Sequence, residues 1–286
     1  MLLYWKPVAE EIKKELQEKT KKYFPDWNNF VAVLFFWDNY SSSVYVKSKQ
    51  RYGESIGLKT KIYGQEKEDR SNEEILNLIY GLNKDENCVW IIIQLPLPEN
   101  LKDYKKELLS AITPDKDIDG LWGTLVWKSF FNMLSFTPAT PKAVVTLLDY
   151  YKLWNVKNKK VAIIGQSTIV GKPLALEMLK RGAQVACFDK TNTPWEIKKY
   201  CQSADYIFSA TGVSHLVDET YINDKKNQIV IDIGYGHKDG KAVGDVNIEK
   251  IQNKVLHITP VPWGIGPLTI ASLFSNVFVL REQFHN

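Results

Sequence analysis

Tyr45 and Lys49 stand at i and i+4 of a helix-like segment and so share one face, with Ser42 a turn earlier. A lysine desolvated in a pocket has its pKa lowered until it can accept a proton, with a tyrosine to orient it. A solvated helix edge carries the same pair, and the local spacing does not choose between the two. Further along, Val89-Trp90-Ile91-Ile92-Ile93 has no polar alternation, the pattern of a strand buried on both faces of a parallel sheet. It stops at Gln94-Leu95-Pro96-Leu97-Pro98, where prolines at alternate positions cannot donate to a sheet ladder. The backbone must leave the sheet there, with the Gln94 amide at the strand's carboxyl end, where open α/β sheets bind ligands. Gln94 could fix the Lys49 amine by a hydrogen bond. Pro114-Asp115-Lys116-Asp117-Ile118-Asp119-Gly120, after a helix-like Lys102 to Ser110, brings a carboxylate-rich loop back to the same rim.

A second constellation runs from Gly165 to Gly171, between a strand and a helix opened by Lys172-Pro173. Glycines in that setting let backbone amides approach a nucleotide's phosphates at a helix N-terminus, although the spacing is not that of the usual dinucleotide fingerprint. Asp189 ends the next strand, where a dinucleotide fold places a carboxylate on the ribose hydroxyls. The plain alternative is a strand-to-helix glycine turn with Asp189 on the surface.

The elements that must position these residues fall into two α/β units. Pro7 suits a first helical turn, with Val8, Ile12 and Leu16 at helical spacing; Phe30 to Phe36 reads as a buried strand, Ser42 to Ile56 as a helix ended by Gly57, and Lys59 to Tyr63 as a strand. Ser71-Asn72-Glu73-Glu74 is a capping box opening a helix to Leu82. This β-α-β-α-β order predicts a parallel sheet. Thr137-Pro138-Ala139-Thr140-Pro141 reads as a hinge, Thr140 capping a helix from Lys142 to Tyr151. Strands at Lys160 to Ile164, Val185 to Phe188, Tyr206 to Ala210 and Ile229 to Ile233 build the second unit. A second hinge, Thr259 to Pro267, leads to an amphipathic last helix, Thr269 to Gln283, able to cover either unit. The fold class expected is two α/β domains flanking a cleft, 1–141 with 266–286 against a Rossmann-type 142–265.

The chain has 286 residues, 44% hydrophobic and 24% charged, which is the composition of a soluble globular protein with a sizeable core. Its net charge of +4 is spread along the sequence, which disfavours nucleic acid as a partner and suits an anionic small molecule. The apolar run from Phe30 to Trp37 is far too short to span a bilayer, and the first residues lack a signal peptide's apolar core, so a cytoplasmic protein without membrane association is expected. Cys88, Cys187 and Cys201 are expected to stay reduced and buried.

Seven motifs, in order and spacing, resemble the bifunctional methylenetetrahydrofolate dehydrogenase/cyclohydrolase family. They are Tyr45 to Lys49, Gln94 to Pro98, Pro114 to Gly120, Thr137 to Pro141, Gly165 to Pro173, Gly244-Asp245-Val246 and Thr259 to Pro262. The resemblance implies hydride transfer from 5,10-methylenetetrahydrofolate to NAD or NADP, then hydration of the methenyl cation to 10-formyltetrahydrofolate, in one-carbon metabolism. Losing hydride from a carbon between two nitrogens gives a delocalised cation, so the first step needs positioning, whereas adding water needs a proton acceptor. By resemblance Lys49 is that acceptor, Tyr45 stacks on or orients the folate, Gln94 tunes Lys49, and Asp119 bonds the pteridine. Ser42, Leu95, Pro262, Trp263 and Gly264 would contact the folate derivative. Gly165, Gln166, Ser167, Ile169, Val170, Gly171, Asp189, Thr211, Gly212 and Ile233 would contact the dinucleotide. A homodimer without metal is implied.

The chain departs from the family pattern in Trp37 and Trp263, where relatives carry glycines, in Leu125 and Trp127 replacing an Asn-x-Gly, and in lacking an Asp-Gly-Lys around Lys6. A bulky indole at Trp263 could narrow the folate pocket or stack on the ligand. Phe188-Asp189-Lys190-Thr191 stands where relatives often carry His-Ser-x-Thr, and Gln166 where an arginine can follow the glycine. A carboxylate there accepts hydrogen bonds from NAD's ribose and repels the phosphate of NADP, so NAD is expected, with Lys190 and Arg181 as possible offsets. The rival readings are a dehydrogenase without cyclohydrolase activity and a non-catalytic pterin- or nucleotide-binding protein.

Overall fold

In a computed structural model, residues 1–25, 28–36, 40–64, 70–121, 124–238 and 241–284 are described, without the side chains of 40–42, 237–238 and 241. Trp37 lies outside these residues, and so does the side chain of Ser42.

The chain forms two compact units. One is Glu11–Phe136 with Leu273–Asn286; the other is Met1–Glu10 with Thr137–Ser272. In the first, α1 (Lys6–Tyr23) contributes most of its length, followed by β1 (Phe30–Leu34), α2 (Tyr40–Ser55), β2 (Lys59–Tyr63), α3 (Asn72–Lys84) and β3 (Cys88–Ile93). The strands pair in parallel in the order β2-β1-β3, as the alternation of strands and helices requires. Every residue of β1 is buried, because a parallel sheet covered on both faces leaves no solvent side. The Ser71 capping box is present with both reciprocal bonds. A 3₁₀ turn, Glu99–Tyr104, leads into α4 (Lys105–Ser110), so the helix expected from Lys102 forms as two short pieces. The unit also holds α5 (Thr124–Phe130).

The second unit opens with α6 (Ala139–Tyr150), then β4 (Lys160–Ile164), α7 (Gly171–Lys180), β5 (Gln184–Phe188), α8 (Pro194–Ser203), β6 (Tyr206–Ser209) and β7 (Ile229–Asp232). The hairpin of β8 (Gly236–Lys238) and β9 (Lys241–Val243), α9 (Ile248–Ile251), β10 (His257–Ile258) and α10 (Ile265–Phe284) complete the chain. The five-stranded sheet is parallel throughout in the order β10-β7-β6-β4-β5. With β5 on one side of β4 and β6, β7 and β10 on the other, the order reverses about β4, the doubly wound pattern of a dinucleotide-binding fold.

Four expectations change. Thr140 does not cap α6: the helix starts at Ala139 after Pro138, so Thr140 and Pro141 lie in its first turn. The last helix begins at Ile265, ahead of Thr269, and is not amphipathic; Leu268, Ala271, Phe274, Val277, Phe278 and Asn276 are all buried. Its residues are divided between the two units, as are those of α1. The first residues join the second unit because Leu2 bridges Ile258 and the Leu3 N–H bonds the Ile258 carbonyl, adding an edge to β10. Cys88 and Cys201 are buried, but Cys187 on β5 is half-exposed; burial raises all three thiols, Cys88 to about 11 and Cys201 to about 12.

Candidate functional site

The polar residues expected at the rim of the first sheet do converge. The Gln94 N–H bonds the Leu34 carbonyl, which carries the β1–β3 ladder one residue past the end of β3. The prolines then turn the chain away, and the Gln94 side chain is locked at both ends: Nε2 donates to the Leu95 carbonyl at 2.7 Å, and Oε1 accepts from Lys49 Nζ at 3.0 Å. Lys49 lies on α2, the crossover between β1 and β2, and Tyr45 sits half-buried one turn earlier on the same helix. Leu95 packs on the apolar cluster beneath the sheet edge.

Asp119 closes this cluster through a loop more firmly held than its composition suggests. The Ile91 N–H of β3 bonds the Lys116 carbonyl, and Ile91 bridges Asp117 in parallel. Lys116 is itself buried, and its ammonium donates to the carbonyls of Leu82, Asn83 and Asp85 at 2.8–3.0 Å. Those are the carbonyls that the end of α3 leaves without intrahelical partners, so a cation there is doubly favoured. Asp117 Oδ1 accepts from the Gly120 N–H, and buried Asn276 donates to the Ile118 carbonyl. Gly120 has a φ of +60°, and a Cβ there would run into the Phe136 ring, so both the backbone and the space call for glycine.

Lys49 and Asp119 lie near enough to act on each other's titration. Burial drives the Lys49 ammonium below the usual lysine range, against the pull of the Asp119 carboxylate. Burial likewise raises Asp119, against the pull of Lys49. Each group is pushed towards its neutral form while the other's charge resists. The arrangement can accept a proton from water at a site that also offers an amide and a carboxylate.

In the second unit the Gly165–Gly171 turn leaves no room for side chains at its two glycines. Gly165 has a φ of +106°, and a Cβ on it would strike the Ala210 carbonyl; one on Gly171 would strike the Gly165 carbonyl. The turn is thus stripped of side chain where it enters α7, the geometry that lets a phosphate approach a helix N-terminus. Ser167 Oγ accepts from the Val170 N–H, and Ile169 and Val170 are half-buried beside it. Gln166 folds back, its Nε2 donating to the Cys187 carbonyl of β5. Thr211 and Gly212 lie just past β6, Gly212 at a φ of +73°, and the Ile233 N–H bonds the Ser209 carbonyl. Asp189 Oδ1 accepts from the Thr191 hydroxyl at 2.6 Å and its N–H at 2.9 Å. Those bonds hold its carboxyl below the usual range, with Lys190 and Lys172 adding smaller pulls. It is an anion at the strand end.

Pro262, Trp263 and Gly264 belong to this second unit. Trp263 has not retreated into the core: the residue is 58% exposed, and its carbonyl accepts from the Trp5 N–H. Gly264 fits because a Cβ would press on the Pro260 carbonyl. Of the other departures, Leu125 is buried, and Trp127 is exposed against Phe130 and Phe131.

Residue types and spacing passed over Lys116, Asn276, Asp232 and the role of Asp245. The signal for Asp232 was available: like Gln94, it is a polar side chain ending a wholly apolar strand.

Comparison with known proteins gives one answer. A sequence model described as the tetrahydrofolate dehydrogenase/cyclohydrolase catalytic domain matches residues 3–119, and one described as that family's NAD(P)-binding domain matches residues 138–285. The chain is 40% identical over 273 residues to the bifunctional protein FolD of Aquifex aeolicus, covering 95% of this chain and 90% of the relative. It is 37% identical over 290 residues to the FolD of Mesoplasma florum, covering 100% and 99%. Among solved structures, the bifunctional FolD methylenetetrahydrofolate dehydrogenase/cyclohydrolase of Campylobacter jejuni superposes with a TM-score of 0.90 at 36% identity, covering 99% of each chain. The Trypanosoma brucei dehydrogenase-cyclohydrolase, solved with NADP and an inhibitor, gives 0.90 at 26% identity, covering 99% and 97%.

Proposed function

The chain belongs to the tetrahydrofolate dehydrogenase/cyclohydrolase family, and from that premise we propose that the first strand-end cluster holds the folate for both reactions and supplies the base for hydrolysis, while the second holds the dinucleotide. The protein is a bifunctional enzyme: it oxidises 5,10-methylenetetrahydrofolate to the methenyl compound with a nicotinamide dinucleotide and hydrolyses that product to 10-formyltetrahydrofolate. When bound, the nicotinamide supplies the hydride acceptor.

The observation that carries this reading is the 3.0 Å bond from Lys49 Nζ to Gln94 Oε1 with the Asp119 charge close by. Lys49, whose ammonium form burial disfavours, takes the proton of the water that adds to the methenyl carbon. Gln94 aims the amine, because its own amide is pinned to the Leu95 carbonyl. Asp119 accepts from the amino and ring N–H donors of the pterin, and Tyr45 orients that ring. Ser42, Leu95, Pro262, Trp263 and Gly264 are carried as folate contacts by the family resemblance.

The dinucleotide falls to the turn at Gly165, Gln166, Ser167, Ile169, Val170 and Gly171, together with Thr211, Gly212 and Ile233. Asp189 favours NAD, since its free oxygen meets the ribose hydroxyls and opposes a 2′-phosphate. We place the enzyme in the cytoplasm as a homodimer. None of the helices among the described residues is long and apolar enough to cross a membrane. The test is a single cuvette holding the protein, methylenetetrahydrofolate and NAD or NADP. Reduced nicotinamide should accumulate while methenyl absorbance stays low, because hydrolysis consumes it; methenyl product rising in step with reduced nicotinamide would leave a dehydrogenase alone.

A further inference from the structure

Two buried carboxylates meet at the carboxyl ends of β6 and β7. Asp232 ends β7 and is 3% exposed; Asp245, just after β9, is 1% exposed. Asp245 Oδ2 gathers three donors from the segment leaving β6: the Ser209 hydroxyl at 2.8 Å, the Thr211 N–H at 2.6 Å and the Thr211 hydroxyl at 2.8 Å. Thr211 Oγ1 in turn accepts from the Val213 N–H, so one carboxylate oxygen organises the whole turn.

Asp232 holds Asp245 from behind. Its Oδ1 accepts from the Asp245 N–H at 3.1 Å, and its Oδ2 from the Val246 N–H at 3.0 Å. Its own N–H donates to Thr259 Oγ1 at 2.7 Å, which brings in the end of β10. Space is reserved for the arrangement: a Cβ on Gly234 would overlap the Asp245 carboxylate, and one on Gly244 the Asp232 carboxylate. The turn held in this way lies against the cradle, since the Ala210 carbonyl is the atom a Cβ on Gly165 would strike. Asp245 Oδ1, buried, has no hydrogen-bond partner. An acceptor that charged, left half-used beside a second carboxylate, is a costly feature for packing alone.

We propose that Asp245 is a positioning residue for the dehydrogenase reaction, fixing the Ser209–Val213 turn against the Gly165 turn so that the two form one preorganised dinucleotide surface. The inference rests on the dinucleotide reading given above. It assigns Asp245 no contact with substrate; it acts through Thr211 and the backbone of its turn. Holding the turn in advance means that binding need not order it, which appears as affinity for the dinucleotide and not as hydrolytic rate.

The full-length Asp245→Asn protein tests this, because the amide keeps the shape and loses the charge that three donors share. By calorimetry its Kd for the dinucleotide preferred by the parent should rise about tenfold, as losing charge-assisted hydrogen bonds implies. The dehydrogenase KM for that dinucleotide should rise with it while kcat changes less. Cyclohydrolase kcat/KM, measured on methenyltetrahydrofolate without dinucleotide, should stay within about twofold, since Asp245 lies outside the Lys49 cluster. Ser209→Ala, which removes one of the three donors, should move the Kd the same way by about threefold and decides the matter if Asp245→Asn does not fold. An unchanged Kd, or hydrolysis falling in parallel with it, overturns the proposal. A parent that hydrolyses but binds no dinucleotide sinks the dinucleotide reading itself, and shows this before any variant is made.

Discussion

At the rim of the first sheet a base faces an acid; at the rim of the second an acid faces an acid. Lys49 and Asp119 are half-buried and opposite in charge, so desolvation pushes each towards neutrality and attraction pulls it back. Asp232 and Asp245 are fully buried and alike in charge. Burial first, then the neighbouring Asp245 charge, raise Asp232 to about 7 against the backbone bonds it accepts. The difference separates two uses of buried charge. An opposed pair with some access to solvent can exchange a proton and suits chemistry, whereas a like pair in which three of the four oxygens accept backbone and hydroxyl donors suits holding a shape.

The largest effect that sharpens this contrast is expected from Asp119→Ala. Removing the carboxylate leaves pterin donors unpartnered at about 1–3 kcal/mol, so kcat/KM for both reactions should fall by about ten- to a hundredfold. It also removes the charge that holds Lys49 up, so the rise of cyclohydrolase activity with pH should shift to lower pH. A fall confined to one reaction would show that Asp119 is not a shared anchor.

The acid pair makes a prediction of opposite sign about stability. Between the ordinary carboxyl value of 3.8 and about 7, Asp232 binds a proton in the folded chain that the unfolded chain has released. Stability from this group is therefore full below that window and falls as pH rises through it. Melting followed at several pH values between about 4 and 8 should show that decline in the parent, and Asp232→Asn should flatten it. A slope unaltered in the variant would place the Asp232 pKa at an ordinary value.

The smallest effect is on nucleotide choice. Asp189→Ser should raise kcat/KM with NADP relative to NAD, because the repelled phosphate gains a hydroxyl donor. The change is modest because Lys172 and Lys190 already lie near and the site is open to water. A parent that already prefers NADP would show the Asp189 carboxylate turned from the ribose.

Both parallel sheets were legible in the sequence, because strands buried on both faces advertise themselves as unbroken apolar runs. Gln94 was legible because the prolines after it forbid the ladder to continue; helical spacing put Lys49 on a face with Tyr45, but only the family resemblance gave it a role. The Asp119 loop was legible in composition and not in attachment. Its anchor is a bridge from Ile91 to Asp117, and Lys116, an ordinary surface residue by type, is turned inward onto two carbonyls of α3 and that of its C-cap, Asp85. No local pattern encodes contacts of that kind, which depend on where α3 happens to end. The last helix was misread for a related reason: its exposed face is set by what packs around it, and Asn276, polar by type, is buried on the Ile118 carbonyl.

Lys49→Met gives the most direct measurement. Hydrolysis of methenyltetrahydrofolate is followed in that variant and the parent across pH, with the dinucleotide Kd and melting temperature as checks that the fold is kept. The parent rate should rise with pH through a value below that of an ordinary lysine, as burial of Lys49 dictates. The variant should lose about a hundredfold or more with dinucleotide binding unchanged, the usual loss when a positioned base is removed. A variant that hydrolyses at the parent rate, with the same pH profile, would contradict the account.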